Sequence, residues 1–252
     1  MKYQFVMGDT DGLKFCKPDM TPISKAELSV LTAEINEKLD ELITLEDDGY
    51  FEEITIIKTK NYITKEAGKV KIKGSGLTDQ KKELAMLEMV KKIAHAVLGE
   101  LDYDELQEIY MSYVQEALVL TDIKRWSKKM TLTKSVLNAE TDPTARMNEK
   151  KPWEAIKDKN LSEGDKFWVY PVKGPDKQQV VKGEPVFYKK TGEPKMVENI
   201  ILKSWDDYSS DQHLPKLLER CYKTISIFKT VLDMSLFLDY SKPKNRQLLE
   251  EQ

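Results

Sequence analysis

Cysteine is scarce in this chain of 252 residues, and long apolar runs are missing. The two cysteines, Cys16 and Cys221, lie far apart and form no C-x-x-C pair, which argues against a disulfide framework and against a zinc or iron–sulfur site. No apolar run approaches the roughly 20 residues that a membrane span requires. The amino terminus also lacks the long apolar segment of a signal peptide. We therefore expect a reducing compartment, with the cytoplasm as the default location.

A large excess of one charge is missing as well. The chain carries 40 Lys and Arg against 43 Asp and Glu, a formal net charge of −3. The overall charge therefore does not predict a nucleic-acid partner, although local clusters of cations decide whether a protein binds a phosphate backbone. With 40% hydrophobic and 33% charged residues, the composition is typical of a soluble globular chain with one or two domains.

An acidic motif lies close to the amino terminus. Residues 8–12 read G-D-T-D-G, between two short runs of strand composition at residues 3–7 and 13–16. The glycines permit the tight reversal of a hairpin, and alternation along a strand would let Asp9 and Asp11 face the same way. Two such carboxylates suit Mg²⁺, which takes one or two protein carboxylates besides water and substrate phosphate. The alternative is a solvated Asp/Gly turn, which is common.

A helix is predicted after this motif, because Ser24 followed by Glu27 has the sequence of a capping box. An apolar stripe with helical spacing would pack on one side of a sheet. It consists of Leu28, Leu31, Ile35, Leu39 and Leu42. Residues 51–57 then have strand composition. A strand–helix–strand order beside the acidic hairpin predicts an α+β domain.

Lysines are concentrated between residues 58 and 73, around Tyr62. They are Lys58, Lys60, Lys65, Lys69, Lys71 and Lys73. In the K-V-K-I-K sequence of residues 69–73, alternation places the lysines on one face of a strand and the aliphatic residues on the other. Such a strand either protects a sheet edge from aggregation or neutralises phosphate without reading sequence.

The rest of the chain is mainly helical in pattern. The G-S-G sequence at residues 74–76 predicts a hinge, and amphipathic helices are predicted over residues 79–98 and 102–120. A last helix is predicted over residues 211–233. The charged tail, residues 240–252, is either a free arm or a site for a partner, and the sequence does not decide between them.

Taken in order, these motifs resemble those of the family B DNA polymerases. Residues 7–12 resemble motif C, the Y-G-D-T-D-S hairpin of the palm. Residues 60–62 resemble the K-x-Y motif, and residues 70–74 resemble the basic strand and glycine that follow it. Residues 132–136 are similar to the I-T-K-S-L segment of the thumb, and residues 164–170 to a G-D-x-I-x-Y-V strand. The ordered set covers most of the chain.

The resemblance implies an α+β fold in two parts. Residues 1–75 would form the carboxy-terminal half of a polymerase palm, an antiparallel sheet with a helix, and residues 76–252 a mostly helical thumb. Asp11 and Asp9 would be catalytic, with Asp11 as the direct metal ligand and Asp9 as a supporting acid. The DNA contacts implied by the resemblance are Lys60, Tyr62, Lys71, Lys73, Gly74, Lys134 and Arg146.

Two parts of the family pattern are missing from this sequence. They are the upstream acidic motif A and motif B, the helix that grips the nucleotide; Gly12 and Met7 also replace the usual serine and tyrosine. Because the chain begins only eight residues before Asp9, we expect a split polymerase of the bacteriophage kind, acting in the host cytoplasm. Two Mg²⁺ ions would be shared with an amino-terminal partner fragment that carries the exonuclease, fingers and motif A. Primer–template DNA and deoxynucleoside triphosphates are the other expected partners, and a sliding clamp is a candidate for the tail.

Two further interpretations stay open at this point. A non-catalytic DNA-binding accessory, or an inactive polymerase remnant, would carry the same basic strand and thumb without turnover. An unrelated helical interaction protein could contain the D-x-D sequence by chance.

Overall fold

The computed structural model describes residues 3–9, 12–79, 82–99, 102–120, 122–182, 184–206 and 212–250. The fold is α+β, with small antiparallel sheets and helices, which confirms the predicted class. The chain divides into two compact units: Met1–Glu53 with Lys65–Lys69, and Ile54–Thr64 with Val70–Gln252. The domain boundary expected near residue 75 stays a prediction.

The first unit contains the predicted hairpin. Strand β1 (Gln4–Asp9) pairs antiparallel with β2 (Gly12–Cys16), and the register shifts between Phe5 and Met7. Helix α1 (Lys25–Asn36) follows. The hairpin predicted from the glycines and the flanking apolar runs is therefore confirmed.

Helix α1 begins at the predicted capping box. The Glu27 N–H donates to Ser24 Oγ over 3.3 Å, and the Ser24 N–H donates to Glu27 Oε2 over 3.0 Å. The predicted extent is wrong, because the helix ends at Asn36. Leu28, Leu31 and Ile35 of the predicted stripe are half-buried, and their packing on a sheet stays a prediction. The Asn36 side chain donates to Leu45 O and accepts from the Leu45 N–H, at 2.9 and 2.8 Å, an alternative to continued helical hydrogen bonding.

A three-stranded sheet has the order β3 (Glu53–Lys58), β4 (Asn61–Glu66), β5 (Lys69–Lys73). Strand β5 lies at its edge. Ala67 and Gly68 make the turn from β4 to β5 with positive φ angles of 48° and 73°. Ile57 and Ile63 are buried, so the middle of this sheet contributes to the main core of the protein.

The remaining elements belong to the second unit. They are α2 (Ser75–Thr78), α3 (Leu84–Leu98), α4 (Tyr103–Val119), β6 (Lys128–Thr131), α5 (Lys134–Leu137), α6 (Met147–Ile156), β7 (Lys166–Gln178), β8 (Val180–Val181), β9 (Glu184–Pro185), β10 (Met196–Ser204), α7 (Leu214–Ile225) and α8 (Pro243–Glu250). Short 3-10 turns cover Ser226–Phe228 and Met234–Leu236. Among the residues described, no helix is long and apolar enough to cross a membrane.

Helices α3, α4 and α7 enclose the main core, which confirms the helical stripes predicted there. Helix α3 begins at Leu84 instead of Asp79, after its N-cap Glu83, whose ψ of 141° is not helical. Residues 75–78 form the separate short helix α2. Helix α7 ends at Ile225, earlier than predicted. The hydroxyls of Thr224 and Ser226 there donate back to the carbonyls of Arg220 and Tyr222, a pattern that weakens a helix.

A second, smaller core lies beside the sheet of order β10-β7-β6. Its buried members are Leu132, Val136, Ile156, Phe167 and Val169. The strand predicted at residues 164–170 is confirmed from Lys166 onwards, where β7 begins.

The tail up to residue 250 is not a free arm. Tyr240 is buried and stacks on Tyr110, with ring centroids 6.2 Å apart and planes at 22°. Helix α8 follows, and its Leu249 packs against the main core. The free-arm alternative is therefore wrong for residues 240–250, and binding of a sliding clamp stays a prediction.

Candidate nucleic-acid interface

The β1–β2 hairpin brings the two ends of the acidic motif together. The backbone of Asp9 is paired with that of Gly12, so the strands run up to the ends of the motif. Thr10 and Asp11 lie outside the described residues, as does the side chain of Asp9. The common orientation of the Asp9 and Asp11 carboxylates therefore stays a prediction.

Aromatic packing stiffens the hairpin behind the motif. The rings of Phe5 and Phe15, which are opposite each other in the register, meet edge to face with centroids 5.9 Å apart. Gly8 lies next to the Phe5 ring: a Cβ atom there would come within 3.3 Å of Phe5 Cζ and 3.4 Å of Leu13 Cδ2. Gly8 thus leaves space for Phe5 to lie across the hairpin just before Asp9.

The donor chemistry of this motif fits Mg²⁺, since carboxylate oxygens are the hard ligands that this ion prefers. Asp9 and Asp11 are too few to hold two ions. Within the described part of the chain, no group of three or more His, Cys, Asp or Glu side chains could hold a metal ion. The described residues therefore form no complete metal site by themselves.

Lys60 and Tyr62 lie at the turn from β3 to β4. Lys60 is exposed and has a φ of 59°, a left-handed conformation that is uncommon outside glycine. Asn61, between them, is only 5% exposed; its Nδ2 donates to Thr59 O over 2.9 Å, while its Oδ1 has no hydrogen-bond partner among the described residues. Because Asn61 and Ile63 are buried on one face of β4, the half-buried Tyr62 lies on the other face.

Gly74 and Gly76 pack directly on this turn. A Cβ atom on Gly74, whose φ is 106°, would lie 2.2 Å from Lys60 O and 2.6 Å from Asn61 Oδ1. A Cβ atom on Gly76 would lie 2.6 Å from the same Oδ1 and 2.9 Å from Lys58 Nζ. The segment that was predicted as a hinge is instead a packed contact, in which glycine permits close approach of two backbone segments.

Lys82 joins this cluster, although no sequence motif points to it. Its Nζ donates to Gly76 O. Burial lowers the pKa of the Lys82 ammonium, and the nearby Lys58 cation acts in the same direction. The contact depends on how residues 74–79 fold back towards Lys82, for which the local sequence gives no signal. We define the turn cluster as Lys58, Lys60, Asn61, Gly74, Gly76 and Lys82.

Strand β5 has the alternation that its sequence predicts. Lys69, Lys71 and Lys73 are exposed, while Val70 and Ile72 pack against the main core. Its position at the sheet edge is compatible with both interpretations, protection of the edge and contact with phosphates. Because β5 leads directly into Gly74, its lysines lie next in sequence to the turn cluster.

Lys134 and Arg146 lie beside the second core. Leu132 and Val136 are buried in that core, and Lys134, between them on α5, is exposed. Arg146 is exposed at the start of α6, where its N–H donates to Glu149 Oε2 over 2.7 Å. These two residues thus belong to a different place in the second unit from the turn cluster, and their role in DNA binding stays a prediction.

Arg125 and Lys124 make contacts with other side chains of the protein. The Arg125 Nε donates to Glu88 Oε2 over 2.9 Å and its Nη1 pairs with Glu116, which also accepts from Trp126 Nε1. The Lys124 Nζ lies 4.9 Å from the ring centroid of Trp168 and 4.7 Å from that of Trp205. The basic run at residues 124–129 therefore contributes much of its charge to internal contacts.

Comparisons with known proteins bear on the fold. No protein-family model matches this sequence, and no curated protein matches it. A solved structure of the family B DNA polymerase from the hyperthermophilic archaeon Pyrobaculum calidifontis is similar, with a TM-score of 0.51 and 16% sequence identity. The match covers 92% of this chain and 27% of the polymerase chain, so this chain spans about a quarter of its length.

At 16% sequence identity, this similarity shows a likeness in fold and nothing more specific. The chain therefore has a fold like that of part of a family B DNA polymerase, the family whose motifs its sequence resembles.

Proposed function

We propose that this chain is the carboxy-terminal palm and thumb portion of a DNA-directed DNA polymerase. It would catalyse template-directed nucleotidyl transfer only together with a partner chain that carries motifs A and B. The observation that carries the proposal is the likeness in fold to a family B DNA polymerase over 92% of the chain. The agreement between that likeness and the order of the sequence motifs supports it further.

In this proposal each group of residues has a separate task. Asp11 and Asp9 would hold the metal ions, and motif A of the partner would supply the remaining protein ligands. When bound, Mg²⁺ lowers the pKa of the primer 3′-hydroxyl and neutralises charge on the departing pyrophosphate. Lys60 and Tyr62, with Lys71 and Lys73, hold the primer–template near the reacting atoms.

The thumb residues complete the grip on DNA. Lys134 and Arg146 are exposed beside the second core, where they can approach the backbone of the new duplex. Lysine and arginine neutralise phosphate without reading the base sequence, which is the property that a template-copying enzyme needs.

The first test is primer extension by the purified chain, alone and mixed with a polypeptide from the same source that contains motifs A and B. We expect no extension by the chain alone and extension by the mixture, because one carboxylate hairpin cannot hold both ions of a two-metal site. Robust extension by the chain alone would overturn the divided active site.

Binding of primer–template, measured in parallel, separates the remaining interpretations. Salt-dependent binding without extension by any mixture would favour a non-catalytic DNA-binding accessory or an inactive remnant. Absence of both binding and extension would instead leave an interaction protein with a chance D-x-D sequence.

A further inference from the structure

A second basic site surrounds Trp168 in the second unit, in a cavity of about 340 Å³ that we call the Trp168 pocket. The start of α3, the segment before β6 and the first part of β7 enclose it. Four cationic side chains line the pocket: Lys82, Lys124, Arg125 and Lys129. None of the residues expected from the sequence to bind DNA is among its lining residues.

Two of these cations lie beside the same aromatic ring. Lys129 is the direct partner of Trp168 in the pairing of β6 with β7, and its Nζ lies 5.6 Å from the Trp168 ring centroid. The Lys124 Nζ lies 4.9 Å from the same centroid. The separation of the two ammonium groups therefore cannot exceed the sum of these two distances. Neighbouring phosphates of one DNA strand, which follow one another every 3.4 Å or so along the helix axis, can match such a spacing.

A second tryptophan fixes Lys124 further. Its Nζ lies 4.7 Å from the ring centroid of Trp205, whose backbone N–H donates to Trp168 O over 3.1 Å. A cation–π contact positions an ammonium group but leaves its positive charge in place. An ammonium group that is already positioned loses less side-chain freedom when it binds an anion.

The charges of Lys124 and Lys129 are available to a ligand. Both side chains are exposed, and among the described residues no carboxylate forms an ion pair with either of them. Arg125 differs, because its guanidinium is paired with two glutamates. Asp122 also lines the pocket, and its Oδ1 accepts from the Arg125 backbone N–H over 3.0 Å. The lysines of the pocket outnumber this carboxylate, so an anion is the ligand that the pocket suits.

Lys82 connects the pocket with the turn cluster. Its Nζ donates to Gly76 O within that cluster, and the same side chain lines the Trp168 pocket. The two sets of cations therefore share a member and form one continuous basic surface. Such a surface favours an extended polyanion over a small free anion, because only the former can contact both parts at once.

We propose that the Trp168 pocket binds neighbouring phosphates of a DNA strand through Lys124 and Lys129, which Trp168 holds in position. The two positioned ammonium groups account for the phosphates, and the continuity with the turn cluster accounts for the strand. The inference rests on the DNA binding in the proposed function, and it extends that binding to residues for which the sequence predicted no DNA contact. It does not require catalysis.

The test is fluorescence anisotropy of a labelled primer–template with the whole chain over a range of salt concentrations. The Lys124→Ala, Lys129→Ala double variant should weaken binding and reduce the steepness of log affinity against log salt by about one to two units. Lys229→Ala, Lys244→Ala removes the same charge from exposed positions outside the pocket and should leave the slope unchanged. Each variant is checked by thermal unfolding, and affinities are compared where it is folded.

A variant without a charge change tests the positioning role of the ring. Trp168→Leu should weaken binding at least threefold although every lysine is retained, and Trp168→Phe should restore most of the affinity because it keeps an aromatic face. Unchanged affinity in Trp168→Leu, or equal weakening in Trp168→Phe, would overturn this role of Trp168.

The remaining arms separate the possible failures. Displacement of the DNA by micromolar inorganic pyrophosphate would show a site for a free polyphosphate and overturn the assignment to a strand. A wild type that binds with a steep slope, which Lys124→Ala, Lys129→Ala leaves unchanged, would overturn this inference alone. Absence of binding by the wild type at any salt concentration would overturn the proposed DNA binding together with it.

Discussion

Lys60 occupies a left-handed backbone conformation that costs a non-glycine residue on the order of 1 kcal/mol, and its surroundings hold it there. The carbonyl oxygen of Lys60 lies so close to Gly74 that residue 74 has no room for a side chain. Asn61 Oδ1 occupies the space where a Cβ atom of residue 74 or 76 would lie. The two glycines therefore act as positioning residues for the segment that resembles the K-x-Y motif.

A Gly74→Ala variant tests this positioning role. The new Cβ would overlap with Lys60 O, so we expect a loss of about 1–3 kcal/mol in the free energy of unfolding and a displaced Lys60 turn. Weaker binding of primer–template should accompany it, measured by fluorescence anisotropy under conditions where the variant is folded.

Gly164→Ala is the matched control, because Gly164 also has a positive φ, 93°, but a Cβ atom added to it would meet no other atom within 4 Å. Its free energy of unfolding should fall only by the cost of the left-handed conformation, about 1 kcal/mol, and its affinity for DNA should be unchanged. Equal loss of DNA affinity in both variants would contradict a specific role of Gly74.

The acidic motif is tested by Asp11→Asn in the enzyme reconstituted with its partner. Removal of one anionic metal ligand should cost several kcal/mol of transition-state stabilisation. Duplex affinity should stay equal or rise slightly, because a negative charge near phosphate is lost. Primer-extension rates measure the first effect, and Asp48→Asn, an exposed aspartate in the same unit, controls for the charge change. Activity within about tenfold of the wild type, roughly 1.4 kcal/mol, would exclude Asp11 as the metal ligand.

Among the elements, α1 depends most clearly on its cap. Glu27 accepts from the Ser24 N–H and hydroxyl and pairs with Lys17 Nζ at 3.0 Å. The hydrogen bond from the Ser24 N–H, with those from Lys17 and the Ser24 hydroxyl, lowers the pKa of Glu27 to about 2 from its usual 4.5. A cap of this kind typically adds about 1 kcal/mol to the stability of a helix.

This lowered pKa predicts how the helix responds to acid. A folded-state pKa below the unfolded one gives stability that is fully present above about pH 4.5 and is lost as pH falls towards 2. The Glu27 carboxyl resonance should titrate near pH 2, and Lys17→Gln or Ser24→Ala should each raise that midpoint. In Glu27→Gln, helicity should no longer vary through this window; a wild-type titration near pH 4.5 would contradict the capping geometry.

The elements that were predicted correctly from the sequence are those stabilised by interactions between residues close together in the chain. The Ser24 capping box and the alternation of residues 69–73 both involve neighbours in the chain. The end of α1 was missed because the Asn36 side chain bonds to Leu45, nine residues away. Leu39 and Leu42 therefore lie beyond the helix.

Contacts between distant segments explain what the sequence did not predict in the candidate site. The bond from Lys82 to Gly76 and the packing of Gly74 on Lys60 follow from how loops fold back, which no spacing encodes. Arg125 lies in a run of basic residues, yet its guanidinium meets Glu88 and Glu116 from two helices. Exposed, repeating features such as Lys71 and Lys73 were predictable, whereas partners of buried charges were not.

At the scale of the whole molecule, the net charge of −3 has to be reconciled with the proposed binding to a polyanion. We expect the local distribution of charge, not the total, to decide this. Carboxylates such as Glu88, Glu116 and Glu219 are engaged with cations. Lys71 and Lys73 lie on one exposed face of an edge strand. A local basic surface is sufficient for salt-dependent binding of duplex, whatever the overall charge.

The affinity of the chain for primer–template, alone or with its partner, should therefore fall as salt rises. Each phosphate that a lysine neutralises makes the slope of log affinity against log salt concentration steeper by about 0.9. The Lys71→Ala, Lys73→Ala double variant should therefore reduce the steepness of that slope by about one to two units. The flattening should be the same on unrelated duplex sequences, because backbone contacts carry no sequence information.

The control for this measurement is Lys229→Ala, Lys244→Ala, which removes the same charge from exposed positions outside β5. Its slope should match that of the wild type, since a change in net charge alone does not remove a phosphate contact. If both double variants flatten the slope equally, binding follows net charge and β5 is not the contact. If the wild type shows no salt-dependent binding at all, the resemblance at residues 58–74 is coincidental, and the lysines of β5 serve to protect an exposed sheet edge.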